Sequence, residues 1–267
     1  MMSAADLFQA VALVGGGIVA ALVLVAFVRR LFPADVLRRG HEATGNVLAI
    51  VGTLYAVLLG LVVVDAMVRF EQAQDVVQEE SNCLADVFLL AARFPEPQQS
   101  RVREACRVYT RAVVELEWPL MAQGRMSLDA RQAALDLSRS LDDFEPTTEA
   151  HKIVLPIVIE QIREMWDCRR ERAGTVTTGI PIVEWVALII GGAVTVLFAG
   201  LFAVDSGRLQ AFTTALLALV IGLNLYLVSL FGYPFAGTLS VSSRPFSVDL
   251  GIFAGLFESA PAHEFEH

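Results

Sequence analysis

Hydrophobic residues fall along this chain in two alternating patterns. Four runs are nearly free of charge: Leu7 to Val28, Val47 to Val64, Ile182 to Val204 and Ala211 to Phe231. Each is close to the roughly twenty residues that a helix needs to cross a bilayer. Between the second and third runs, apolar residues recur at every third or fourth position among charged ones. That is the spacing of helices that bury one stripe and wet the rest. Together the patterns predict an all-α polytopic membrane protein, with four transmembrane helices and an extramembrane helical bundle between the second and third. The expected divisions are 1–68 for the first transmembrane pair, 69–173 for a four-helix bundle continuous with the second span, 174–231 for the second pair and 232–267 for a C-terminal tail.

The stretch Asn46 to Phe94 organises the rest. No Pro or Gly interrupts Leu61 to Phe94, so the second span has no reason to stop at the lipid surface. Past the membrane its apolar residues follow a seven-residue repeat. Phe70, Val77, Leu84 and Ala91 take one position, and Ala73, Val87 and Phe94 take the other. Glu80 stands where an apolar residue is expected. The reading is one helix of roughly 70 Å at 1.5 Å per residue.

Phe94-Pro95-Glu96-Pro97 turns the chain. From Gln98 to Met121, Val102, Cys106, Tyr109, Val113, Leu116 and Leu120 carry the same spacing and predict an antiparallel partner. Matching levels across this hairpin puts Cys83 near Cys106, either bridged or as two buried thiols. Ser127 is the expected N-cap of a third helix reaching about Phe144, with Leu128, Leu135 and Leu141 inward. Pro146-Thr147 opens a fourth through Val154, Val158, Ile162 and Met165 to Arg172, kinked at Pro156. The charged residues of the bundle mostly fall off these stripes and are read as a solvated face. Gly174 to Pro181 reads as a hinge. In the tail, Phe246, Leu250, Phe253 and Phe257 share one helical face, which predicts a short amphipathic helix on the membrane surface or on a neighbouring subunit.

Composition supports the division. The chain is 55% hydrophobic with a mean hydropathy of +0.57, too apolar for an ordinary soluble domain, yet 18% charged, too polar to lie wholly in lipid. A net charge of −9 argues against nucleic acid as a partner. Three cysteines without close spacing argue against a disulfide framework or a zinc ribbon. Leu7 to Val28 lacks a basic leader and is longer than a signal core, so it reads as a first span and not a cleaved signal.

Polar residues within or beside the spans are the candidate sites. Asp65 and Arg69, four apart, share a face at the membrane exit and form either an interfacial ion pair or a charged pore mouth. Asn224 lies deep in the fourth span and needs a partner, either another helix or a water-filled path. Glu184 and Asp205 bracket the third span as interfacial groups. Gly15-Gly16-Gly17 suggests close packing, a turn or a ligand-binding break. Glu80, on the seam of the bundle, is expected to meet Arg103, Arg107 or Arg111, or else to form part of a ligand or cation site.

The terminal His263-Glu264-Phe265-Glu266-His267 matches the H-E-x-x-H zinc pattern. It follows Pro261 at the end of the chain, where a helix frays and no third ligand is evident, so no metal, cofactor or catalytic residue is assigned. No phosphate loop, dinucleotide fingerprint or nucleophile triad occurs.

Asn46, the run Gly52-Thr-Leu-Tyr55-Ala-Val-Leu-Leu, Val62-Val-Val, and the glutamates at 79 and 80 resemble the start of the bestrophin-like family. Tyr109 with Glu117-Trp118-Pro119 resembles its second motif. Pro234-Phe235-Ala236-Gly237 with Ser240 and Ser242 resembles its C-terminal motif. The likeness spans about residues 7 to 258. It implies four spanning helices and, by analogy with bestrophins, a homo-oligomeric channel for small anions lined by its second span. Thr53, Leu54, Val57, Gly60 and Leu61 are then the pore-lining candidates. The competing reading is a non-conducting scaffold or sensor whose bundle binds a partner protein. Four spans put the N-terminus, bundle and C-terminus on one side. Basic residues nearly tie across the membrane, and the unpaired thiols and the family likeness favour a cytoplasmic bundle beneath a plasma (inner) membrane.

Overall fold

The computed structural model describes residues 4–32, 41–202 and 206–255. All regular structure in them is helical. In chain order the α-helices are α1 (Ala4–Leu31), α2 (His41–Leu90), α3 (Gln98–Ala112), α4 (Trp118–Met121), α5 (Leu128–Arg139), α6 (Glu149–Thr177), α7 (Ile182–Leu201), α8 (Gly207–Phe231) and α9 (Arg244–Phe253). A π turn, Val113–Glu117, joins α3 to α4. The chain forms two compact units, one of residues 1–70 and 180–233, the other of residues 71–179 and 234–267.

The first unit holds the four helices long and apolar enough to cross a membrane, α1, α2, α7 and α8. One face of α2 is buried, with Tyr55, Leu59, Val62 and Ala66 against Leu188 of α7 and Val228 of α8. A second cluster joins Ala21 and Val25 of α1 to Val196 and Ala218. Lipid offers no hydrophobic drive between helices, so close backbone approach does the work. Glycines supply it: a Cβ on Gly191 would stand 2.5 Å from the Tyr55 ring, and one on Gly200 would stand 3.0 Å from Val25. The Gly15-Gly16-Gly17 run does not have this role. Helix α1 passes through it unbroken, and a Cβ on any of the three would meet nothing within 4 Å.

The second unit is built on the far half of α2. Val77, Leu84 and Ala91, with Ala73, Val87 and Phe94, are all at most 3% exposed, so the seven-residue repeat is the buried seam. The helix is continuous for 50 residues, about 75 Å. Helix α3 buries Val102, Cys106 and Tyr109 as expected, and Val113 just beyond it is buried too, but the stripe does not continue past that point. The π turn inserts an extra residue per turn and rotates the residues beyond it. Leu116 is therefore 46% exposed, Leu120 is half-buried, and Glu117 is inside.

Helix α5 also turns differently from the expectation. Ser127 is its N-cap, accepting from the Ala130 N–H at 3.2 Å. Its inward face is Ala130, Ala133, Ala134 and Leu137, while Leu128 is 78% exposed and Leu135 half-buried. Small residues let this short helix lie close against α3, and the leucine at its start is left outside. The helix ends at Arg139 and not near Phe144, although Leu141 remains buried. Helix α6, capped by Thr148, runs through Pro156 and on through Gly174 to Thr177, so the break before α7 is shorter than predicted.

The amphipathic tail helix α9 packs onto the second unit. Phe246 and Phe253 are at most 2% exposed, and Phe253 stacks on Phe88 with ring centroids 4.1 Å apart. Its apolar face is thus already covered by its own chain. Cys83, Cys106 and Cys168 are buried and free, so the bridge considered between the first two is not formed. Asp205, Phe257 and the terminal histidines lie outside the described residues.

Candidate functional site

Glu80 marks the centre of the second unit. A glutamate on a buried seam needs a charge partner and hydrogen bonds for both oxygens. Arg172 of α6 supplies both, with Nε donating to Oε2 at 2.6 Å and Nη2 to Oε1 at 2.9 Å. The π turn brings in Glu117, which the other edge of Arg172 reaches at 2.9 Å. Arg169, one turn earlier on α6, forks onto Glu117 at 2.7 and 2.6 Å and donates to the Tyr109 hydroxyl at 3.1 Å. Tyr109 donates in turn to Glu80. The backbone N–H of Ser127, the cap of α5, donates to Glu117 at 3.2 Å. Two carboxylates and two guanidiniums, none more than 5% exposed, thus form a closed and neutral cluster. It ties α2, α3, the start of α5, and α6 to one point.

The expected partners of Glu80 are elsewhere. Arg103 donates to the Phe88 carbonyl, Arg107 donates to the Phe253 carbonyl, and Arg111 is exposed. They sit on the wrong flank of α3 to reach the seam. The solvated-face reading also fails for Glu117, Arg169 and Arg172. A signal for the arginines is present in the sequence: Val158, Ile162, Met165, Arg169 and Arg172 follow one 4-3-4-3 spacing, so both arginines lie on the apolar stripe of α6. Glu117 has no such signal, because the π turn that buries it leaves no periodic mark.

Burial works against the charge of Arg172, but Glu80 beside it more than offsets this and holds its pKa above the ordinary arginine value. Arg169 is raised too, as burial is outweighed by Tyr109 and Glu117. The Tyr109 hydroxyl is pushed well up by burial first and by Glu80 second. The two guanidiniums and the phenol thus keep their protons. With its ion pairs and hydrogen bonds closed on one another, the cluster clamps these helices together. Among the described residues, no group of three His, Cys, Asp or Glu is placed to hold a metal.

In the membrane unit, Leu54, Val57 and Leu61 are 58–67% exposed, and Thr53 and Gly60 are exposed beside them. They form one face of α2, opposite the buried Tyr55, Leu59 and Val62. Thr53 spends its hydroxyl on the Ala49 carbonyl at 2.8 Å. Asp65 continues the stripe and pairs with Arg69 at 2.6 Å, both partly exposed. Asn224 on α8 donates to the Val220 carbonyl of its own helix at 2.9 Å, so it needs no other helix for that proton. Glu184, read as interfacial, has a buried carboxylate oxygen without a hydrogen-bond partner. Tyr55, Gln210, Thr214 and Tyr226 have such atoms as well, and all five residues belong to the membrane unit.

A Bestrophin-like domain model matches residues 15–246. The fold is similar to that of a point mutant of a bacterial bestrophin homologue from Klebsiella pneumoniae: TM-score 0.68, 12% identity, covering 92% of this chain and 99% of that one. A second structure of the Klebsiella pneumoniae homologue matches at a TM-score of 0.66 and 13% identity, over 92% of this chain and 98% of that one. A membrane protein bearing a single proline-to-alanine change matches similarly, at 0.66 and 13%, over 91% and 99%. None of the curated proteins matches by sequence.

Proposed function

The chain belongs to the bestrophin-like family, and on that premise we propose that it assembles into a closed ring that passes small anions, with the exposed face of α2 lining the central path. The observation that carries this reading is the face itself. Thr53, Leu54, Val57, Gly60 and Leu61 are exposed on a helix whose opposite side is packed. Its apolar walls suit a gate that opens and closes by wetting. The Asp65–Arg69 pair stands at the mouth. In this reading the bundle and α9 lie in the cytoplasm.

Purified protein is expected to run as a homo-oligomer in detergent and to release chloride from liposomes. A monomer that leaves vesicles tight contradicts the proposal. The run from Val47 to Val64 carries no charge, and this favours a second reading, a non-conducting scaffold or sensor whose bundle binds a partner protein. A ring that stays tight to chloride while retaining a protein partner on the bundle would support that reading over the first.

A further inference from the structure

The Glu80 cluster leaves unused another pair of arginines, on the opposite flank of α3. Arg103 and Arg107 are one turn apart and half-buried. They stand 4.8 and 5.3 Å from the centroid of the Phe88 ring. Arg107 is committed: it donates twice to the Phe253 carbonyl, at 3.0 and 2.9 Å, and meets Glu104 at 3.4 Å. Arg103 donates only through Nε, to the Phe88 carbonyl at 3.3 Å. Among the described residues no carboxylate pairs with it. Arg103 lines an open cavity of about 720 Å³, together with Phe88, Leu89, Arg107, Ile252 and the end of α9.

Two features of this cavity point to one class of ligand. An arginine whose Nε is already anchored presents its remaining N–H groups as a fixed fork, the geometry that a carboxylate fills. Beside it, Leu89 is 58% and Ile252 39% exposed, apolar surface that gains from being covered. The volume is within the range of small-molecule sites, and apolar surface beside a few placed polar groups is their usual make-up. We propose that this cavity binds a small organic carboxylate, its charge on Arg103 and its apolar body against Leu89 and Ile252. A bare inorganic anion would satisfy the arginine and leave the apolar walls wet. The proposal holds whether or not the ring conducts.

Benzoate serves as the probe, with benzamide as its uncharged isostere and inorganic phosphate as an anion without a body. Binding to the full chain in detergent is followed by calorimetry, and hydrogen exchange over residues 244–253 locates it. Benzoate is expected to bind saturably and to slow exchange in α9. Benzamide and phosphate should bind at least about tenfold more weakly, since a hydrogen bond to a charged group or a covered side chain is each worth roughly that factor. Arg103→Gln should weaken benzoate by a similar factor. Equal binding of benzoate and benzamide to the native protein overturns the proposal, and so does phosphate binding as tightly as benzoate. Benzoate binding to a folded Arg103→Gln protein within twofold of native does the same. If that variant does not fold, the three-ligand comparison on the native protein decides alone.

Discussion

At the scale of single residues, the clearest consequence concerns the four-charge cluster. Removing one partner strands another charge where water cannot reach it, at a cost of about 3–5 kcal/mol. Arg172→Met should therefore lower the thermal midpoint sharply. Glu80→Met combined with Arg172→Met should recover much of the loss, because an apolar pair replaces an ionic one. Thermal unfolding of the singles and the double in detergent checks this, and additive losses would show that the two side chains act separately. Asp249 gives a second test. It is buried on α9, accepts from the Ser81 hydroxyl, and is lifted by burial from 3.8 to about 6. The docked state then holds a proton more tightly than the undocked one. This contribution to docking is fully present below about pH 4 and is lost as the pH rises through 6. Exchange protection of α9, corrected for intrinsic rates, should be greater at pH 5 than at pH 7.5, and Asp249→Asn should flatten the difference. Glu80 is legible as important in the sequence because a charge interrupts an apolar repeat. Its partners are not the arginines of the nearest helix in sequence but those of α6, which sit on that helix's own apolar stripe. Glu117 carries no mark in the periodicity, and only its place in the Glu117-Trp118-Pro119 motif singles it out.

Among elements, α2 is the most readable. Fifty residues without a breaker in the exposed half, and a heptad that begins where the apolar run ends, leave a helix little alternative. Helix α5 is the least readable. Leucine is the usual inward residue, but here alanines are inside because close approach matters more than bulk. The membrane helices follow the same rule through glycine, and this is testable by pairing two sites. Gly191→Ala places a methyl against the Tyr55 ring and should destabilise the membrane unit. Gly52→Ala meets nothing within 4 Å and should stabilise α2 by about 0.5–1 kcal/mol through propensity alone. Thermal midpoints that move in the same direction for both variants would argue against glycine packing as the reason for Gly191. The π turn is the element that sequence periodicity cannot disclose, and it is the one that completes the buried cluster.

At the scale of the whole molecule, a membrane unit leaves one face of α2 unpartnered, and a second unit is clamped by buried charge. Family membership and the helical architecture agree with what the apolar runs and motifs implied. The proposed conducting role rests on the α2 face, so the deciding measurement is made there. Chloride efflux from liposomes is recorded for the native protein and for Val57→Cys, before and after a membrane-impermeant, negatively charged thiosulfonate. The native cysteines are buried, so native flux should persist unchanged, while flux through Val57→Cys should fall severely on modification. Undiminished flux through the modified Val57→Cys protein, or no flux from either, would contradict the account.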